Sequence, residues 1–101
     1  MSLSTHVLDT ARGRPAPGVA IELTLPDGTK RTSQTDDDGR ARLADETAAG
    51  EYELVFAVGD YFGETAFLDR VPVRFTIADP DAHYHVPLLV SPWAYSTYRG
   101  S

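Results

Sequence analysis

Apolar and polar positions alternate along most of the chain, and a period of two marks a strand with one buried face. Residues 19–25 set Val19, Ile21, Leu23 and Leu25 against Ala20, Glu22 and Thr24. Residues 51–58 turn Tyr52, Leu54, Phe56 and Val58 inward, and residues 71–77 do the same with Val71, Val73, Phe75 and Ile77. Pro72 cannot donate to a ladder and assigns that strand to a start or an edge. Residues 29–35 are polar and read as an exposed or edge strand. Pro26-Asp27-Gly28 and Asp36-Asp37-Asp38-Gly39 supply turn chemistry between strands. Residues 60–68 alone have helical spacing, with Phe62/Ala66 and Glu64/Leu68 at i,i+4. They predict a short helix capped by Asp60 and weakened by Gly63. Strands over 3–9, 83–91 and 94–99 complete a predicted all-β sandwich of seven or eight strands in one domain, residues 1–101.

The terminal strands carry residues that an outer face does not ordinarily hold. Leu3 and Val7 share one side of the first strand, and Ser4, His6 and Leu8 the other. Tyr84, Val86, Leu88 and Val90 make a core face, which leaves His83, His85, Pro87 and Leu89 outside. In 94–99, Tyr95, Thr97 and Arg99 oppose Ser96 and Tyr98. Sandwich exteriors are normally polar. A mixture of imidazoles with Leu8, Pro87, Leu89 and Tyr98 reads as an interface or a pocket. All three histidines of the chain fall on such positions, where they read equally well as solvent-facing strand residues.

Charge and composition exclude several classes. Nine Lys+Arg against fifteen Asp+Glu give a net charge of −6, which argues against a nucleic-acid surface or a polybasic membrane anchor. The hydrophobic share of 42% is too high for a disordered chain. No cysteine is present, so disulfides, thiol nucleophiles and thiolate metal sites are absent. The first residues lack a basic start and an apolar run of signal-peptide length, and cytoplasm is the expected location by elimination.

The chemistry then rests on few residues. His83 and His85 stand about 7 Å apart on one strand face; with His6 they would form a three-histidine set. With no carboxylate or cysteine at ligand spacing, acid–base work near neutral pH suits them better than a metal. The acidic run at 36–38 lacks the alternating ligands of a calcium loop and reads as a hairpin turn. Arg40 just after it is either an ordinary surface residue or a fork for an anion. The terminal Ser101 has no G-x-S-x-G elbow around it.

Together these segments resemble the 5-hydroxyisourate hydrolases, the transthyretin-like enzymes of urate breakdown. The resemblance runs over almost the whole chain. It rests on Leu3-Ser4-Thr5-His6-Val7-Leu8-Asp9, Thr35-Asp36-Asp37-Asp38-Gly39-Arg40, Gly50-Glu51-Tyr52 and Gly59-Asp60-Tyr61-Phe62. It closes on His83-Tyr84-His85-Val86-Pro87-Leu88-Leu89 and Tyr95-Ser96-Thr97-Tyr98-Arg99-Gly100-Ser101. It implies a prealbumin-like two-sheet sandwich with one short helix, assembled as a homotetramer with active sites in a channel between dimers. It further implies hydrolysis of 5-hydroxyisourate, a small-molecule substrate, with no metal or organic cofactor. His6, Arg40, His85 and Ser101 would be catalytic, and Tyr98, Leu8, Pro87, Leu89 and Ser96 would line the substrate site. His6 and His85 would form a proton-transferring pair, Arg40 would bind ring oxygens, and the terminal carboxylate would fix Arg40 or His6. A transthyretin-type carrier and a structural prealbumin-like module are the rival readings.

Overall fold

The computed structural model describes residues 2–101, Thr65 by its backbone alone. Nine strands form two sheets: β1 Leu3–Asp9, β2 Arg14–Pro15, β3 Ala20–Thr24, β4 Lys30–Gln34, β5 Arg40–Ala44, β6 Gly50–Ala57, β7 Arg70–Ile77, β8 Tyr84–Val90 and β9 Tyr95–Thr97. One sheet runs β2-β1-β8-β9, with β5 also pairing β1; the other runs β4-β3-β6-β7. β1 and β8 pair in parallel, and the remaining ladders are antiparallel. The inward rows anticipated from alternation meet between the sheets: Leu3, Val7, Leu54, Phe56, Val71, Ile77, Leu88 and Val90 are almost completely buried. The polar strand is β4, an edge, and Pro72 sits on β7, the opposite edge of the same sheet.

The one short helix is present with different bounds, and one strand is additional to those expected. The helix is α1, Val58–Phe62, followed by a 3₁₀ turn at Gly63–Thr65, so the helical segment begins earlier and ends sooner than its i,i+4 spacing suggests. It starts directly from the end of β6 with Ala57 as its N-cap, and Asp60 lies inside the first turn rather than capping it. Gly63 ends it at φ 76°, in the left-handed region that glycine enters without a Cβ clash. The strand β5 was not anticipated, although Ala41 and Leu43 alternate there with Arg40 and Arg42. It forms because β1 provides a ladder for it.

The β1 end is locked to α1 by a buried carboxylate. Asp9 is fully buried and accepts hydrogen bonds from the Ala11 and Arg12 amides, the Arg12 guanidinium and the Tyr61 hydroxyl. Burial pushes its carboxyl up. The backbone bond from Arg12, the Tyr61 hydroxyl and the Arg12 guanidinium outweigh that and hold it below its usual range. Asp9→Ala strands these donors and is expected to cost about 1–3 kcal/mol in urea unfolding. Because the folded carboxyl ionises more readily than the unfolded one, the stabilisation is present above about pH 4 and fades as pH falls below it.

Candidate active site

The outer face of the β1 sheet is built in rows by strand register. Antiparallel pairing sets His6 opposite Arg40 and Ser4 opposite Arg42; parallel pairing sets Ser4 opposite His85 and His6 opposite Pro87. Leu8 pairs with Leu89, which pairs with Ser96. Directly paired residues share a face, so His6, Arg40 and His85 converge on one surface from strands far apart in sequence.

The turn at 36–39 makes that convergence possible. The Asp36 carboxylate accepts from the amides of Asp38 and Arg40, and the Gly39 carbonyl accepts from the Val7 amide at 2.7 Å. Gly39 has φ 75°, and a Cβ there would stand 2.6 Å from the Val7 carbonyl oxygen. Only glycine lets the turn lie this close to β1. The docked turn brings the Asp38 carbonyl to His6, whose Nε2–H donates to it at 2.9 Å. A carbonyl only accepts, so neutral His6 carries its proton on Nε2 and has its lone pair on Nδ1.

His85 is held from two sides. Its Nδ1 shares a hydrogen bond with the Ser4 hydroxyl at 2.8 Å. The Gly100 amide donates to the His85 carbonyl at 2.8 Å, and a Cβ on Gly100 would stand 2.7 Å from His85 Cδ2 and 3.2 Å from Pro87 Cγ. Burial pushes the His85 imidazole below its ordinary pKa, and the positive charges of His6, His83 and Arg40 push it the same way, against a backbone hydrogen bond at Ser4. Gly100→Ala is therefore expected to displace the His85 ring and lower turnover about tenfold or more, since small misplacements of catalytic groups are costly. Thermal unfolding near the parent value would separate this from loss of fold.

The tail departs from simple alternation. β9 ends at Thr97, whose hydroxyl donates to the Pro87 carbonyl at 2.7 Å. Pro87 is buried under this segment, whereas Leu8 and Leu89 are half-buried and Ser96 is exposed. Tyr98 lines a groove of about 330 Å³ between β7 and β9, with Val73, Phe75 and Val86 among its neighbours. Among the described residues no hydrogen bond or ring contact joins Tyr98 to His85, and none ties Ser101 to Arg40 or His6. Ser101 is exposed beside Gly100. Arg99 turns instead onto the Tyr84 ring, 4.1 Å from its centroid. Among the described residues no group of three or more His, Cys, Asp or Glu is arranged to hold a metal ion.

Residues 3–100 match the model of the HIUase/Transthyretin family. The chain belongs to that family. A 5-hydroxyisourate hydrolase of Mesorhizobium japonicum is 54% identical over 98% of this chain and 91% of its own length. The solved structure of Klebsiella pneumoniae 5-hydroxyisourate hydrolase superposes with a TM-score of 0.87 at 35% identity, covering 99% of this chain and 93% of that one. Sea bream transthyretin in complex with thyroxine superposes with a TM-score of 0.83 at 31% identity, covering 97% and 93%. The transthyretin-like two-sheet sandwich with one short helix is thus the fold of this member as well. No helix of the described residues is long and apolar enough to cross a membrane.

Proposed function

We propose that this protein is a 5-hydroxyisourate hydrolase of urate catabolism, opening a cyclic amide of its substrate to give 2-oxo-4-hydroxy-4-carboxy-5-ureidoimidazoline. The observation that carries the reading is the registered meeting of His6, Arg40 and His85 on one sheet face, in a chain so similar to named hydrolases. Hydrolysis of an amide needs a base for water, a partner for the tetrahedral oxyanion and a proton for the departing nitrogen. His85, whose burial favours its neutral form, takes the proton from water and passes it to the ring nitrogen as the bond breaks. His6 presents its Nδ1 lone pair to a ring N–H, and Arg40 binds the oxyanion through its planar fork. Leu8, Pro87, Leu89 and Ser96 line the substrate channel, Ser101 orients substrate or water, and Tyr98, which lines the groove between β7 and β9, stands apart from them. No electrons change hands, so the reaction calls for no redox cofactor.

The same reading includes a homotetramer in the cytoplasm. The edge strands β7 and β9 flank one groove lined by Tyr98, and Trp93 and Tyr95 are further exposed aromatics. Unpaired edges and exposed aromatic surface favour association with another copy. His6, Arg40 and His85 lie outside both that groove and the concavity around Thr24, Pro26 and Arg74. Closing a channel over them falls to a second dimer.

The second reading is a carrier of small aromatic ligands, favoured by the likeness to a thyroxine-bound transthyretin. One experiment separates the two. Urate oxidase generates 5-hydroxyisourate in the cuvette, and its ultraviolet band is followed with and without the protein after sizing by light scattering. Catalytic decay by a tetramer is the expected result; stoichiometric binding without accelerated decay would favour the carrier.

A further inference from the structure

Beside His85 lies a chain of hydrogen bonds that the mechanism above does not use. The Ser4 hydroxyl touches His85 Nδ1 at 2.8 Å and His83 Nε2 at 3.4 Å, and His83 Nδ1 meets the Ser2 hydroxyl. The two imidazoles are nearly parallel, with centroids 6.4 Å apart. His83 is exposed and His85 half-buried, so the chain leads from solvent to the candidate base. We propose that His83, acting through Ser4, is a positioning residue that selects which nitrogen of His85 carries the proton. This rests on the hydrolase reading and deepens it.

The logic is that of donors and acceptors. Two nitrogens flank one hydroxyl, which donates a single proton and accepts at its lone pairs. For His85 to act as a base through Nε2, its proton must sit on Nδ1 and donate to Ser4. Ser4 then donates to His83 Nε2, and neutral His83 carries its proton on Nδ1 toward Ser2. Protonated His83 has a proton on both nitrogens, so its Nε2–H donates to Ser4. Ser4 is then free to donate to His85 Nδ1 instead of to His83, which favours the neutral His85 tautomer with its proton on Nε2, where no lone pair remains for water. The exchange only relocates protons: His83 gains one from solvent, and His85 changes tautomer without changing charge. A solvent-facing imidazole thus turns a base into a donor across one hydroxyl.

Other charges face His85 as well. From β1 comes His6 and from β5 Arg40, while Arg42 lies on the same sheet face opposite Ser4. Arg42 is ion-paired with Asp45, and His6 is tied to Asp38. Among the described residues none of these hydrogen-bonds the Ser4 hydroxyl, and the backbone hydrogen bond at Ser4, which raises the His85 pKa, works against the switch that His83 imposes through that hydroxyl.

The test uses the full chain and two readouts. By ¹⁵N NMR of the histidine rings, the neutral tautomer of His85 should change as His83 titrates in the parent protein and in Ser4→Thr. In Ser4→Ala the coupling should vanish. In steady-state assays Ser4→Ala should lower kcat about 10- to 100-fold, as loss of a tautomer-fixing partner does, with KM little changed and Ser4→Thr restoring most of it. His83→Gln should make the acid limb of kcat shallower, by removing one inhibitory protonation. Coupling that persists in Ser4→Ala, or an acid limb unchanged in His83→Gln, would overturn the proposal. If the parent protein does not hydrolyse 5-hydroxyisourate, the functional reading fails, while the NMR coupling still decides whether His83 governs His85.

Discussion

His85→Ala is expected to lower kcat for 5-hydroxyisourate about 10²–10⁴-fold, the range a positioned acid–base group contributes, while the oligomer stays intact. The side chain is half-buried and its ring packs on Gly100, so the change leaves a small gap at the rim of the sheet, away from the core between the sheets. The pH dependence gives an independent check. Burial, together with the charges of His6, His83 and Arg40, depresses the imidazole below its ordinary value of 6.5. A base must be neutral, so log kcat/KM should fall as pH drops through the lowered His85 pKa, with the protonation of His83 proposed above adding to the same limb. In His85→Ala that limb should disappear from the residual rate. The same depression means that the folded protein binds fewer protons than the unfolded chain near and below pH 6.5. This group therefore contributes to a loss of stability as pH falls there. Parent-like turnover in His85→Ala, with light scattering unchanged, would remove His85 from the mechanism.

The fold was legible wherever a strand carries its own alternation. β6, β7 and β8 each present three or more apolar residues to one side, and β3 presents Ile21 and Leu23 with Val19 and Leu25 continuing the row at its ends, so that pattern alone fixes their faces. β5 has only Ala41 and Leu43 to mark it before Ala44, and its strand character comes from pairing with β1, more than thirty residues away. β2 is two residues long and exists only by register with Leu8 and Asp9. The helix was misjudged because i,i+4 pairs beyond Gly63 look helical in sequence, whereas the glycine φ stops the turn. Within the site, alternation placed His6 with Ser4 and Leu8, and His85 with Pro87 and Leu89, on outer faces. The position of Arg40 beside His6 was not readable from spacing, since it depends on the antiparallel register of two distant strands. The Asp38 carbonyl that fixes the His6 tautomer has no sequence signature at all, being main chain. The swing of the tail at Thr97, which lays Gly100 on His85, follows from a strand with one neighbour ending after three residues.

Arg40→Ala is expected to reduce kcat/KM about 10²–10³-fold, the cost of losing one partner of a developing oxyanion. Among the described residues its guanidinium makes no ion pair, whereas those of Arg12, Arg42 and Arg74 each meet a carboxylate. Its backbone, by contrast, is fixed at both ends of the turn: the Arg40 amide donates to the Asp36 carboxylate, and its carbonyl accepts from the Asp36 amide. A rigid main chain carrying an unneutralised fork suits an anion that appears only during reaction, because no existing bond must be broken to receive it. Arg40→Lys keeps the charge but not the planar donor pair, and it should recover only part of the loss. The two variants also separate charge from shape through His85. Removing the positive charge in Arg40→Ala takes away one of the influences that depress the imidazole, so the acid limb should move to higher pH. Arg40→Lys should leave that limb near its parent position while turnover stays low. A lysine variant with full activity would reduce Arg40 to a source of charge, and an alanine variant with both limb and rate unchanged would remove it from the site.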